Sequence, residues 1–265
     1  MVEKVKAVWP NGVSVISEVL DATAPRPSPT DHQSVKNAYA IRFADQMAER
    51  FANDLAPLMN GITASAKRSA ASVRTRKQLD VNFSTPALGL ALGISLKSVH
   101  IREASGAKRY THNLKRNEEE LRIEASGYHK RQPYAVMIAV LFLPYDSCHD
   151  GKKDNPSSFG SWVRHLRPYS GRSSPHDDDD LFEKIYIGLY EPDGTALDFF
   201  DVDRDPPKND KPKRNVSSSG QPARLLNYGE FLESLHHAYL RRNSAEFKWD
   251  DGTEDPLSAS ETDED

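Results

Sequence analysis

Asp80, Ser95 and Lys97 are the residues whose types and spacing could do chemistry on a charged substrate. They fall on two runs of alternating character, 77–83 and 90–97, separated by six residues that include Pro86 and Gly89, the pattern of a hairpin. In the first run Leu79, Val81 and Phe83 share one face and Asp80 and Asn82 the other. In the second, Leu90, Leu92, Ile94 and Leu96 oppose Gly89, Ala91, Gly93, Ser95 and Lys97. If both apolar faces meet one core, the acid and the lysine emerge together on the opposite face of adjacent strands. The small residues ahead of Ser95 leave room above that face. An Asp and a Lys side by side on a sheet also make an ordinary cross-strand ion pair, worth roughly 0.2–1 kcal/mol, and the residues alone leave both readings open.

The arrangement resembles the PD-(D/E)XK, or restriction-endonuclease-like, superfamily. That family has an acid at the end of one strand and an acid-x-Lys triplet on the next, together binding divalent metal and activating water. Asp80 matches the first acid and Lys97 the lysine, while Ser95 stands where an acid is more usual. Some restriction enzymes of the superfamily carry Ser-x-Lys and supply the missing carboxylate from the following helix. Residues 111–126, closed by Gly127, read as such a helix. Leu114, Leu121 and Ala125 mark its inward stripe, Glu118 falls within that stripe, and Glu119 and Glu120 rotate away. A carboxylate among core-facing residues is costly unless it is paired or bound to metal, so Glu118 is the expected migrated acid. The competing view is a solvated face, with Glu118, Glu119 and Glu120 paired to Lys115, Arg116 and Arg122.

The resemblance, which covers roughly residues 34–143, implies several roles. Asp80 and Glu118, helped by a backbone carbonyl near Leu96, would hold Mg²⁺ or Mn²⁺. Lys97 would position the attacking water or stabilise charge on the phosphate, and Ser95 would hydrogen-bond a water in the metal's shell. Basic residues flank this centre at three points: Arg74, Arg76 and Lys77, then Lys108 and Arg109, then Lys130 and Arg131. These are the expected contacts to DNA phosphates.

The elements that must position these residues follow from the remaining chain. A helix is expected over 34–58, with Ser34 as N-cap and Ala40, Ala44, Met47, Phe51, Leu55 and Leu58 inward. Residues 134–143 are almost unbroken apolar, a strand buried on both faces. Residues 185–190 and 196–202 read as a second hairpin, and 228–243 as a closing helix. Asp198, Asp201 and Asp203 on that hairpin read as solvated acids. Asn11-Gly12 reads as a turn between short apolar runs. Trp162, Arg164, His165 and Arg167 either touch DNA bases or cap the core. The expected fold is α/β, a mixed central sheet flanked by helices around a restriction-endonuclease-like core. Residues 1–33 would be an arm with a Pro-rich linker, 34–249 the nuclease-like domain with a loop-rich insertion at about 146–180, and 250–265 an acidic disordered tail.

Composition sets the outer limits. The 265 residues carry a net charge of −4, which sits badly with DNA until the acids are located. Eight of the 39 acids lie in the last sixteen residues, leaving 31 against 35 bases, and Asp177 to Asp180 form a further run. Such runs read as solvated, disordered segments. Cys148 is the only cysteine, so an intramolecular disulfide and a Cys-rich zinc site are excluded. No apolar run approaches the roughly 20 residues of a membrane span, and the N-terminus lacks a signal-peptide pattern, so a cytoplasmic protein is expected. The function expected from all this is Mg²⁺-dependent cleavage of DNA, by a homodimer or by a phage-defence effector under a regulatory partner protein. The alternatives are an inactive nuclease fold that binds DNA or a partner, or an unrelated enzyme or structural protein.

Overall fold

The strand that carries Ser95 and Lys97 is the longest among the described residues, β3 (Gly89–Ser98). The computed structural model describes residues 8–64, 79–85, 89–102, 109–152, 155–203 and 225–242. Arg74, Arg76, Lys77, Lys108 and the tail 250–265 lie outside the described residues. Beside β3 lies β2 (Val81–Thr85), antiparallel with Val81 opposite Ile94, and β1 (Thr63–Ala64) continues that antiparallel edge. On the other side β4 (Val136–Pro144) and β5 (Lys184–Tyr190) run parallel to β3, and β6 (Leu197–Asp201) returns antiparallel. The six strands form one mixed sheet in sequence order, so the fold is α/β. β4 is buried along its whole length, as its apolar run requires of a central strand covered on both faces.

Five α-helices sandwich the sheet among the described residues. α1 (Gly12–Thr23), α2 (Gln33–Leu55) and α5 (Tyr228–Arg242) cover one face, packing Phe43, Phe51 and Phe231 against Phe142 and Phe199. α3 (Leu114–His129) and α4 (Ser158–Leu166) cover the other, where Leu121, Phe159 and Trp162 meet Met137, Leu141 and Phe200. The expected succession of helix, strand, strand, helix and buried strand is present as α2, β2, β3, α3 and β4. None of the described helices is long and apolar enough to cross a membrane.

Several expectations need correction. Asn11-Gly12 is not a turn between two apolar runs; Asn11 Oδ1 accepts the Val13 N–H at 3.0 Å and caps α1. Val15, Ile16 and Val19 then share one helical face in the core, so 12–23 belongs to the domain and is no arm. The cap of α2 is His32 rather than Ser34, and the helix ends at Leu55. The proposed insertion contains α4, whose Phe159, Trp162, Val163 and Leu166 repeat at i, i+3, i+4 and i+7 into the core. Its Ser and Gly content hid that period. Trp162 is fully buried, with Nε1 donating to the Tyr110 carbonyl at 2.9 Å, so it caps the core. Gly127 does not end α3, which runs on to His129 because that imidazole finds the Asp179 and Ala135 carbonyls. Nor is the acidic run 177–180 loose. Asp177 accepts the Ser173 and Ser174 amides, Asp179 faces Lys130 at 3.5 Å, and Asp180 pairs with Arg122 at 2.7 Å. Asp201, expected in solvent, is 5% exposed and pairs with Lys184 at 3.0 Å.

Candidate active site

Asp80 sits at a bend one residue before β2 begins. Its own N–H donates to the Ile94 carbonyl at 3.1 Å, and its carboxylate accepts the Leu96 N–H at 2.6 Å. β3 continues past the end of β2, so the Leu96 amide would otherwise face an abandoned ladder. The Asp80 side chain completes that ladder while the backbone turns away. The bend also sends Leu79 to the α3 side and Val81 to the α2 side, where a regular strand would put both on one face. Because the N–H and C=O of a strand residue face the same edge, the Leu96 carbonyl lies on the Asp80 edge too.

α3 lies across β3 in a simple gearing. Four helical residues rise roughly 6 Å and two strand residues roughly 6.6 Å, so i, i+4 on the helix tracks i, i+2 on the strand. Lys97 Nζ accordingly meets Glu120 Oε2 at 3.4 Å, and Ser95 Oγ donates to Glu124 Oε1 at 2.7 Å. Gln132, beyond the helix, accepts the Leu90 N–H at 3.0 Å. Ser95 and Glu124 are 1% and 5% exposed, so their bond forms out of water. Glu120 is shared, since Arg116 Nε also donates to it at 2.9 Å.

Glu118 is not at this centre. It lies about 40° from Leu114 on one side of the stripe, whereas Glu124 lies about 80° to the other. The Glu118 carboxylate instead meets His165 Nδ1 at 3.3 Å on α4 and Arg122 at 4.0 Å. The error came from aiming the site at the middle of the apolar stripe, when the strand edge carrying Lys97 and Ser95 meets the flank of the helix. Glu124 is absent from the sequence expectations, and Glu120, there turned away from the stripe or paired with Arg116, does pair with Arg116 but also meets Lys97; the four-residue spacing of the two glutamates, matching Ser95 and Lys97, is the signal that points to both.

The predicted phosphate contacts fare unevenly. Arg109 is committed to the start of α4, donating to the Pro156 carbonyl at 2.5 Å and to Ser161. Lys130 and Arg131 lie past the far end of α3, facing Asp179 and stacked over Tyr128 at 5.0 Å. What opens beside Lys97 and Glu120 is a groove of about 790 Å³ between the first turns of α2 and α3. Lys36, Arg102 and Arg116 are the ammonium and guanidinium groups on its walls, each also bonded within the protein, to the Pro29 carbonyl at 2.6 Å, Asp146 at 2.6 Å and Glu120 at 2.9 Å. His100, 4% exposed, lies in its wall with Nδ1 on the Tyr190 hydroxyl at 2.6 Å, and burial with the nearby Arg26 pushes its pKa down to about 3.

The donor set suits a hard divalent cation. Asp80 and Glu124 both reach consecutive residues of β3, and with the Leu96 carbonyl they offer only oxygen. Among the described residues no three His, Cys, Asp or Glu side chains converge to hold a metal. No protein-family model matches the chain, and no curated protein or solved structure matches it.

Proposed function

We propose that the chain is a divalent-metal-dependent endonuclease acting on DNA, with Asp80, Glu124 and Lys97 at its centre. One observation carries the reading: the Glu124 carboxylate of α3 is hydrogen-bonded at 2.7 Å to Ser95, the strand position where an acid is more usual in the superfamily that the sequence resembles. The order α2, β2, β3, α3, β4 and the position of Asp80 at the start of β2 support it. A bound cation supplies Lewis acidity toward the scissile phosphate. Asp80 holds its carboxylate fixed through the Leu96 amide, and Ser95 fixes that of Glu124, so neither must reorganise. Lys97 presents positive charge to the phosphoryl oxygens as negative charge builds on them, and Glu120 holds that ammonium in place. The groove beyond Glu120 receives the strand. A dimer cutting both strands, or a nuclease governed by a partner protein, fits the same chemistry.

A second reading, a nuclease fold that binds DNA without cutting it, has one observation in its favour. Asp80, Ser95, Glu124, Lys97 and Glu120 already satisfy one another inside the protein. Plasmid incubated with Mg²⁺ or Mn²⁺, with and without chelator, separates the two. Chelator-sensitive cutting that disappears in Glu124→Gln supports the nuclease; retention of plasmid without cutting supports the second reading.

A further inference from the structure

The walls of the groove beside Lys97 carry more than charge. Four carboxamides line it, Gln33 and Asn37 from α2 and Asn113 and Asn117 from α3. Their placement on facing walls gives each wall both donors and acceptors. Asn113 stands at the N-cap of α3 with φ 61 and makes no capping bond, although capping is what an asparagine there ordinarily does. Among the described residues, neither the Asn113 nor the Asn117 side chain hydrogen-bonds to the protein, and Gln33 uses one amide hydrogen on Asn37 Oδ1 at 2.8 Å. Apolar surface lies between the walls, with Ile41 48% exposed and Val99 and Ile101 beneath. Cations, amides and an apolar strip are what phosphates, base edges and base faces respectively need. The groove's volume, about 790 Å³, falls in the range of clefts that enclose a ligand of a few hundred daltons. It is also continuous with the centre, because Glu120 lines it and Ser98 follows Lys97.

We propose that this groove is a base-reading subsite. It takes one or two nucleotides on a single side of the cut, and Asn37 and Asn117 read their base edges. The proposal rests on the nuclease reading for the position of the cut, but base selection can be measured without cutting. Asn and Gln pair two-fold with the N6 and N7 edge of adenine, so adenine is the expected preference.

The test uses a pool of DNA duplexes with randomised sequence and the full-length protein. In Mg²⁺, sequenced ends from wild type should show an adenine bias at one or two positions on one side of the break. Asn37→Ala and Asn117→Ala should each flatten that bias about tenfold at one position, while Asn113→Ala tests the neighbouring wall. In chelator, the same pool retained by the protein should carry the same bias in wild type and lose it in the variants. Ends without base bias, or a bias that the variants leave intact, overturn the subsite. If nothing is cut but the retained pool shows the bias and its loss, the nuclease reading fails and the subsite stands. If nothing is cut and nothing is retained, both fail. Asn37 and Asn117 are not core residues, and matched melting curves separate lost reading from lost fold.

Discussion

At the scale of single residues, two glutamates on one helix have different neighbours and so different consequences. Glu124→Gln keeps the volume and removes the charge, so cleavage and metal affinity should fall together, by 100-fold or more in rate, about the cost of one electrostatic catalytic contact. Glu118→Gln should cut within a few-fold of wild type, since it loses only partly exposed partners, His165 on α4 and Arg122 on α3. Metal-titrated plasmid cleavage checks both, and equal activity in the Glu124 variant would move the centre elsewhere. Glu120→Gln tests the lysine's holder. Cleavage should fall with the fold intact, because the Lys97 ammonium loses the carboxylate that meets it at 3.4 Å. Glu120→Asp should restore part of the rate; a variant that cuts like wild type would show that Lys97 needs no holder. The side-by-side placement of Ser95 and Lys97 on β3 was legible in the sequence because strand parity is rigid; the bend at Asp80, which splits Leu79 from Val81, was not. Glu124 was not, because a helix has flanks on both sides of its stripe and only the neighbouring strand says which one is used.

At the scale of elements, a second carboxylate repeats what Asp80 does. Glu183, one residue before β5, accepts the Met137 N–H at 2.7 Å where that ladder would end. Its other oxygen binds Arg172 at 3.0 Å and Arg242 of α5 at 2.5 Å, and His129 of α3 stands 3.5 Å away. Burial raises the Glu183 pKa, but His129, the Met137 amide and Arg242 more than reverse that, so the net shift is downward. Arg172 and Arg242 are 4% and 8% exposed. Glu183→Gln should therefore cost about 3–5 kcal/mol, the cost of stranding buried charge, read as a lower urea midpoint at pH 7. Gly188→Ala should also destabilise, by about 1–3 kcal/mol, since an added Cβ would lie 2.7 Å from the Phe142 ring. β4 and the hairpin of β5 and β6 could be read from their runs of apolar residues. α1 and α4 could not, because each is short and opens on residues that elsewhere make turns. The four-way clasp at Glu183 joins residues more than a hundred positions apart, a distance over which no local pattern operates.

At the scale of the molecule, stability should depend on pH through two opposite kinds of group. His100 is neutral in the fold with its pKa pushed to about 3, while an unfolded chain takes up that proton below pH 6.5. Stability from this site is thus whole above pH 6.5 and declines toward pH 3, by as much as about 1.4 kcal/mol per pH unit. Glu183, with its pKa held down, adds stability above the ordinary glutamate value that is lost as pH falls through its lowered one. Melting temperature should fall from pH 6.5 to pH 4.5, and His100→Gln should flatten that fall. A parallel decline in the variant would assign it to other groups.

The gearing of α3 on β3 has a consequence for how such a centre changes over time. Because Ser95 and Glu124 touch, the strand and the helix offer two addresses for a single negative charge. Glu124→Ser alone should silence the protein, and Ser95→Glu alone should crowd two carboxylates into one place. Made together, they exchange hydroxyl and carboxylate across a single hydrogen bond and leave the inventory of atoms nearly constant. Activity should return in the double variant to well above either single one, a coupling that a double-mutant cycle measures directly. Recovery in the double variant would show that the charge can move between strand and helix on an unchanged backbone; a double variant no better than the worse single one would show that it cannot.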